Sequence, residues 1–158
     1  MKTELVYNWM SREPITITPN AGLIEANNFL YEYDIRRLPV VDNNGNLIGI
    51  VTLGDIREAS PSDEDTLSVW ELTCLLARLT VREIMTPDPV TVFSTDTIGE
   101  AASLMLENKV SGLPVVDPTD ESLVGIITES DIFRFVVQQW EKDETEEAEI
   151  EDFEDVEI

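Results

Sequence analysis

Most of this chain is written twice. Residues 10–56 read MSREPITITPN…EANNFLYEYDIRRLPVVDNNGNLIGIVTLGDI, and residues 85–132 read MTPDPVTVFST…EAASLMLENKVSGLPVVDPTDESLVGIITESDI. At an offset of 75, Met10, Pro14, Thr16, Glu25, Ala26, Glu32 and the run Leu38-Pro39-Val40-Val41-Asp42 meet identical partners. One inserted residue moves the offset to 76, where Leu47, Gly49, Ile50, Thr52, Asp55 and Ile56 match as well. A repeat of this length is one supersecondary unit used twice, so the fold is read per unit. Units of roughly 50–60 residues are marginal alone and are expected to bury a face against each other. Two stacked copies also create paired, symmetry-related clefts.

Each unit carries the same order of patterns. A short apolar stretch, Leu5–Met10 or Val81–Met85, comes first, and Thr80 with Glu83 fits a capping box for the second. Alternating β-branched residues follow, at Ile15–Thr18 and Val90–Val92, each after a proline that stops a helix from running through. Leu23, Ala26 and Leu30, matched by Ile98, Ala101 and Met105, form a stripe at helical spacing. Strands at Leu38–Val41 and Leu47–Val51 flank Asp42-Asn43-Asn44-Gly45-Asn46, in which Asn-Gly is a hairpin signal. Leu113–Val116 and Leu123–Ile127 flank the longer equivalent loop, and a last helix begins at Thr52 or Thr128. The expected fold class is α/β (α+β), with two βαββα units packed sheet to sheet.

The expected boundaries are repeat one at 1–59, a loop and linker helix at 60–79, repeat two at 80–140 and an acidic tail at 141–158. Ser60–Ser68 reads as an exposed polar loop, and Val69–Leu79 as a helix apolar enough to pack on a unit or on a second chain. In the tail, Ile150, Phe153 and Val156 recur every third residue, the spacing of a docked helical strip.

Composition removes several functions. There is no histidine, which takes away the commonest general base and transition-metal ligand, and one cysteine supports neither a disulfide nor a zinc site. The net charge is −23, and the tail alone holds eleven acids against one lysine. Nucleic acid and anionic membrane surfaces need a basic footprint that is not visible here. No stretch approaches the ~20 apolar residues of a membrane span, and the N-terminus has no signal-peptide core, so a cytoplasmic location is expected.

The sharpest constellation is Gly-x-x-Thr-x-x-Asp, present as Gly49–Asp55 and Gly125–Asp131. Each copy runs from an apolar strand into a helix, with Thr at the N-cap and Asp at the third helical position. As structure alone this is a cap, with a hydroxyl on backbone N–H and an acid at the positive helix end. The same geometry also suits a ligand: the helix start attracts phosphate, and Asp can accept both hydroxyls of a ribose. Arg36 and Arg37, two of ten bases, stand at the mouth of the strand pair, where neighbours point to opposite sides and could serve different clefts. Repeat two has Ser111-Gly112 at the matching positions.

With Met-x-x-x-Pro (Met10–Pro14, Met85–Pro89), Leu-Pro-Val-Val-Asp and Gly-h-h-Thr-x-x-Asp (h apolar) each present twice and in order, residues 1–140 resemble a tandem pair of cystathionine-β-synthase (CBS) domains of the stand-alone prokaryotic type. The resemblance implies pseudo-twofold symmetry between the two units, adenosine ligands such as AMP, ADP, ATP or S-adenosylmethionine in two clefts between them, and a homodimeric disc. It implies that Asp131 and Thr128 share one cleft with Met10, Ile15, Ile35 and Arg36. Asp55 and Thr52 share the other with Met85, Val90, Val110 and Ser111, joined by Arg37 from their own unit. No cofactor is required, and Mg²⁺ is expected only with a polyphosphate.

These features favour a regulatory binding module that senses an adenosine ligand and signals to a partner protein through a change in packing. The alternative is a ligand-free dimerisation scaffold working through the linker helix and tail. An enzyme is not expected: no nucleophile–base pair, metal cluster or Gly-x-x-x-x-Gly-Lys loop is present.

Overall fold

A computed structural model describes residues 4–60 and 68–154. The loop expected at Ser60–Ser68 and Val156 of the tail strip lie wholly or mostly outside those residues. The first repeat contains α1 (Val6–Trp9), β1 (Ser11–Arg12), α2 (Leu23–Glu32), β2 (Arg37–Val41), β3 (Leu47–Thr52) and α3 (Leu53–Ala59). After the linker helix α4 (Val69–Arg78) come α5 (Val81–Ile84), β4 (Thr86–Pro87), β5 (Val92–Phe93), α6 (Ile98–Asn108), β6 (Gly112–Val116), β7 (Leu123–Thr128) and α7 (Glu129–Glu154). The two halves follow the same order, except that β5 has only an isolated bridge as its counterpart in the first repeat.

The central hairpins follow the repeated motif closely. β2 pairs antiparallel with β3, Leu38 opposite Val51 and Val40 opposite Gly49; β6 pairs with β7, Leu113 opposite Ile127 and Val115 opposite Gly125. Both ladders shift register at the second valine of the Leu-Pro-Val-Val run. The first turn is held by Asp42, whose Oδ1 accepts the N–H groups of Asn44 and Asn46, both at 2.9 Å. Gly45 there takes φ +81°, a conformation that costs glycine little. Strand entry differs from expectation. Ile15–Thr18 supplies only an isolated parallel bridge, Ile17 to Val40, while its counterpart forms the two-residue β5.

The short leading segments cross between repeats. β1 adds to the edge of the second repeat's sheet, Ser11 opposite Ile126, giving the order β1-β7-β6-β5. Reciprocally, β4 adds to the first, Ile50 opposite Thr86, giving β2-β3-β4. The cores follow. Val6 and Met10 are buried with Ile98, Ala101, Leu113, Val115 and Ile127, and Val81 is buried with Ala26, Leu30, Leu38, Val40 and Val51. Packing therefore runs across the boundaries at residues 59 and 80 that the repeat alone suggests.

The crossing explains the glycine that opens each Gly-x-x-Thr-x-x-Asp. A Cβ on Gly49 would lie 2.5 Å from Met85 Sδ, and one on Gly125 would lie 2.6 Å from Met10 Sδ and 2.7 Å from the Ser11 carbonyl. Each glycine is thus the seat of the other repeat's leading methionine, and two of the repeated motifs form one contact.

α4 is capped at its start, where Ser68 Oγ accepts the Glu71 N–H at 3.2 Å and Glu71 accepts the Ser68 N–H at 2.8 Å. It lies beside the first repeat: Leu76 joins Leu23, Ile24 and Ile56 around one cavity. α7 continues without a break from the second repeat into the acidic segment and runs for 26 residues. No described helix is long and apolar enough to cross a membrane.

Candidate functional site between the repeats

The Thr–Asp pairs form the expected caps. Asp55 Oδ2 accepts the Thr52 N–H at 2.7 Å, and Thr52 Oγ1 accepts the Asp55 N–H at 3.1 Å. In the second copy Asp131 Oδ2 accepts both the Thr128 N–H at 2.8 Å and the Thr128 hydroxyl at 3.1 Å. The cap engages Oδ2 in each case, so one carboxylate oxygen stays outside it. At Asp131 that oxygen, Oδ1, meets the Arg134 guanidinium at 3.0 Å. Asp131 is only 2% exposed and Asp55 is half-buried, so the two copies differ in solvation as well as in partner. The first helical N–H of α3 donates to the Arg36 carbonyl at 2.9 Å, and that of α7 to the Ser111 carbonyl at 3.1 Å. The residues before each Leu-Pro are thereby tied to the helix start that carries the Thr–Asp pair.

A cavity of about 570 Å³ opens where β1, the α2–β2 turn and the β7–α7 junction meet. It is lined by Ile15, Ile35, Arg36 and Thr128, four of the residues expected in one cleft. Asp131 lies beneath Arg134, which lines the wall. Met10 is buried in its seat on Gly125 rather than in the lining.

The expected second set is distributed differently. Met85 is seated on Gly49, Val90 packs against the second repeat's core, and Val110 is exposed at the end of the α6–β6 turn. Arg37 and Ser111, both expected beside Asp55, instead line the cavity with Thr128. Arg37 donates an N–H to Ser111 Oγ at 2.7 Å. Its guanidinium lies over Gly112, where a Cβ would meet its central carbon at 2.8 Å. The absence of a side chain at Gly112 is what lets Arg37 cross to the other repeat. Alternation does not separate the two arginines, because β2 begins at Arg37 and Arg36 stands before the strand. Both therefore face one cavity. Burial first, then the Arg36 charge, lowers the Arg37 pKa, while Glu129 and Asp131 act in the opposite direction.

Two further arginines line this cavity and were not singled out in the sequence: Arg12 and Arg134. Arg12 comes from the crossing β1, with its guanidinium carbon 4.2 Å from the centre of the Tyr7 ring. Only the crossing brings it here, and no local pattern signals that. Arg134 was findable, since a base three residues after a helical acid shares its face.

The comparisons agree with this architecture. The CBS domain profile matches residues 5–62 and 81–138. A CBS domain-containing protein of Dictyostelium discoideum is 38% identical over 140 residues, covering 85% of this chain and 92% of its own. An L-aspartate semialdehyde sulfurtransferase of Methanocaldococcus jannaschii is 34% identical over 130 residues, 82% of this chain but 23% of the enzyme. The chain thus spans about a quarter of that relative's length. Among solved structures, the CBS domain pair of protein MJ0100 in complex with 5′-methylthioadenosine and S-adenosyl-L-methionine superposes with a TM-score of 0.72 at 32% identity, covering 87% of this chain and 98% of that one. CBSX2 in complex with AMP gives 0.70 at 30% identity, covering 85% and 97%. A motif set present twice, a profile matched twice and a shared fold carry one conclusion: this chain belongs to the CBS-domain family, as a tandem pair of its domains.

Proposed function

We propose that this protein is a regulatory module that binds an adenosine-containing ligand between its two repeats. The observation that supports this most is the cavity at the β7–α7 junction, where a helix start, a buried carboxylate and several arginines converge. A carboxylate suits ribose hydroxyls, Ile15 and Ile35 offer an apolar wall for a base, and arginine suits phosphate. The solved relatives hold AMP in one case and 5′-methylthioadenosine with S-adenosylmethionine in another. Ligand contacts from both repeats bias how the repeats pack, and that change is the signal to a partner protein. The role is binding rather than catalysis, and enzyme relatives share only the CBS portion of their length with this chain. The Thr52–Asp55 side offers the equivalent carboxylate for a second, weaker-charged cleft.

A thermal-shift panel of AMP, ADP, ATP, S-adenosylmethionine and NAD tests the reading. A ligand present at a hundred times its Kd should stabilise the fold by about 2.7 kcal/mol, a shift of several degrees. If none of the five moves the transition, the ligand reading fails and the scaffold reading replaces it.

The same module is proposed to act as a homodimer. Trp70 on α4 and Phe133 and Trp140 on α7 are 74%, 66% and 67% exposed, alongside the exposed Leu106, Val136 and Val137. Large apolar side chains left open on the linker helix and on α7 offer a partner copy apolar area to cover. Light scattering at micromolar concentration should give twice the chain mass of 17.8 kDa. A monomeric mass would refute the assembly while leaving the ligand site untouched.

A further inference from the structure

Four of the chain's ten bases, Arg12, Arg36, Arg37 and Arg134, line one cavity in a protein of net charge −23. Among the described residues the only salt bridge within 4.0 Å is Arg134–Asp131. Arg12, Arg36 and Arg37 thus have no carboxylate within that distance there, although Glu13, Asp34 and Glu129 share the lining. Holding adjacent cations together without counter-ions is unfavourable, and it becomes favourable when an anion enters. Arg134 is the exception, and its partner matters. Asp131 has one oxygen in the Thr128 cap and the other on Arg134, so it has no free oxygen to offer an incoming hydroxyl. Arg134 itself is 69% exposed and lies on the cavity wall, free to turn without disturbing the core.

We propose that Arg134 exchanges partners when a nucleotide binds, leaving the Asp131 carboxylate for the ligand's phosphate, and that this exchange makes the cleft select phosphate-bearing nucleotides over neutral nucleosides. The proposal rests on the adenosine-ligand reading of this cleft. A ligand whose ribose takes Asp131 Oδ1 must first displace Arg134. A nucleotide then gives the displaced guanidinium a new anion beside Arg36 and Arg37. A neutral nucleoside breaks the same ion pair and returns nothing, and a cationic sulfonium meets four positive charges. Discrimination therefore exceeds what the phosphate contact alone provides, because the apo ion pair penalises one class of ligand and not the other. At the Asp55 side no arginine among the described residues is paired to the carboxylate, so selection for phosphate belongs to one cleft.

The test compares AMP with adenosine, which differ only in the phosphate, by titration calorimetry on the whole chain. For R134Q, AMP affinity should fall about tenfold, the effect of losing one charge-assisted hydrogen bond. Adenosine affinity should stay level or rise, because Asp131 is no longer occupied. The AMP-to-adenosine ratio then shrinks by about tenfold or more. R134K, which keeps the charge, should restore most of that ratio. A parallel loss for both ligands, or no change in either, overturns the exchange and leaves Arg134 a plain helix-surface residue. Wild-type protein that binds neither ligand overturns the reading of the cleft itself, and with it the exchange.

Discussion

Met10→Ala is expected to cost about 2–5 kcal/mol of stability, the range for emptying a buried methionine site, and the loss should fall on the second repeat. Met10 is buried, and its sulfur occupies the space a side chain at Gly125 would need. Glycine has nothing to collapse into the void. Urea unfolding gives the magnitude, and hydrogen exchange gives the location. Amides of β6 and β7 should lose protection ahead of those of β2 and β3. Loss concentrated in β2 and β3 would mean that the leading segment packs on its own repeat, contrary to the pairing of Ser11 with Ile126.

Asp131→Asn separates the two roles the Thr–Asp pair could have. Asparagine keeps an oxygen for the Thr128 N–H, so as a cap alone the change costs about 1 kcal/mol or less and leaves ligand affinity unaltered. Losing the Arg134 ion pair adds to that figure, since the carboxylate is buried while the guanidinium is 69% exposed, so it is the ligand affinity that separates the roles. If the carboxylate accepts ribose hydroxyls, an acceptor becomes a donor and one hydroxyl is left without a partner. AMP affinity should then fall by about 1.5–3 kcal/mol, roughly ten- to a hundredfold. Asp55→Asn measured beside it reports whether the first repeat's carboxylate holds ligand too. Wild-type heat preserved in both variants would leave only the cap.

The hairpins and helices were legible in the sequence because each depends on local pattern. Apolar runs at Leu38–Val41 and Leu113–Val116, an Asn-Gly turn and a stripe at Leu23, Ala26 and Leu30 are all short-range signals, and the repeat doubled the runs and the stripe though not the turn. The crossing was not legible. Ser11-Arg12 and Thr86-Pro87 are too short to carry periodicity, and nothing in two residues specifies which sheet edge they join. That gap changed which residues share the cavity. It hid Arg12, which reaches the cavity only through β1, and it left Met10 and Met85 assigned to a ligand wall when both are seated on glycines. Arg37 went to the other cleft for a similar reason. Its direction is set by the empty space over Gly112, a property of a residue in the other repeat.

The reciprocal crossing also bears on how such a chain is assembled over time. Val6–Arg12 is synthesised well before its sheet partner, Ile126. That segment therefore waits, and its apolar side chains stay uncovered until β7 arrives. Closing so long a loop is an entropic cost that slows folding more than it lowers stability. A single repeat made alone would need the leading methionine of a second molecule. Joining two copies in one chain turns that bimolecular exchange into an internal one, at an effective concentration of order millimolar for a short tether. Duplication with fusion thus converts a concentration-dependent partnership into a constant property of one polypeptide.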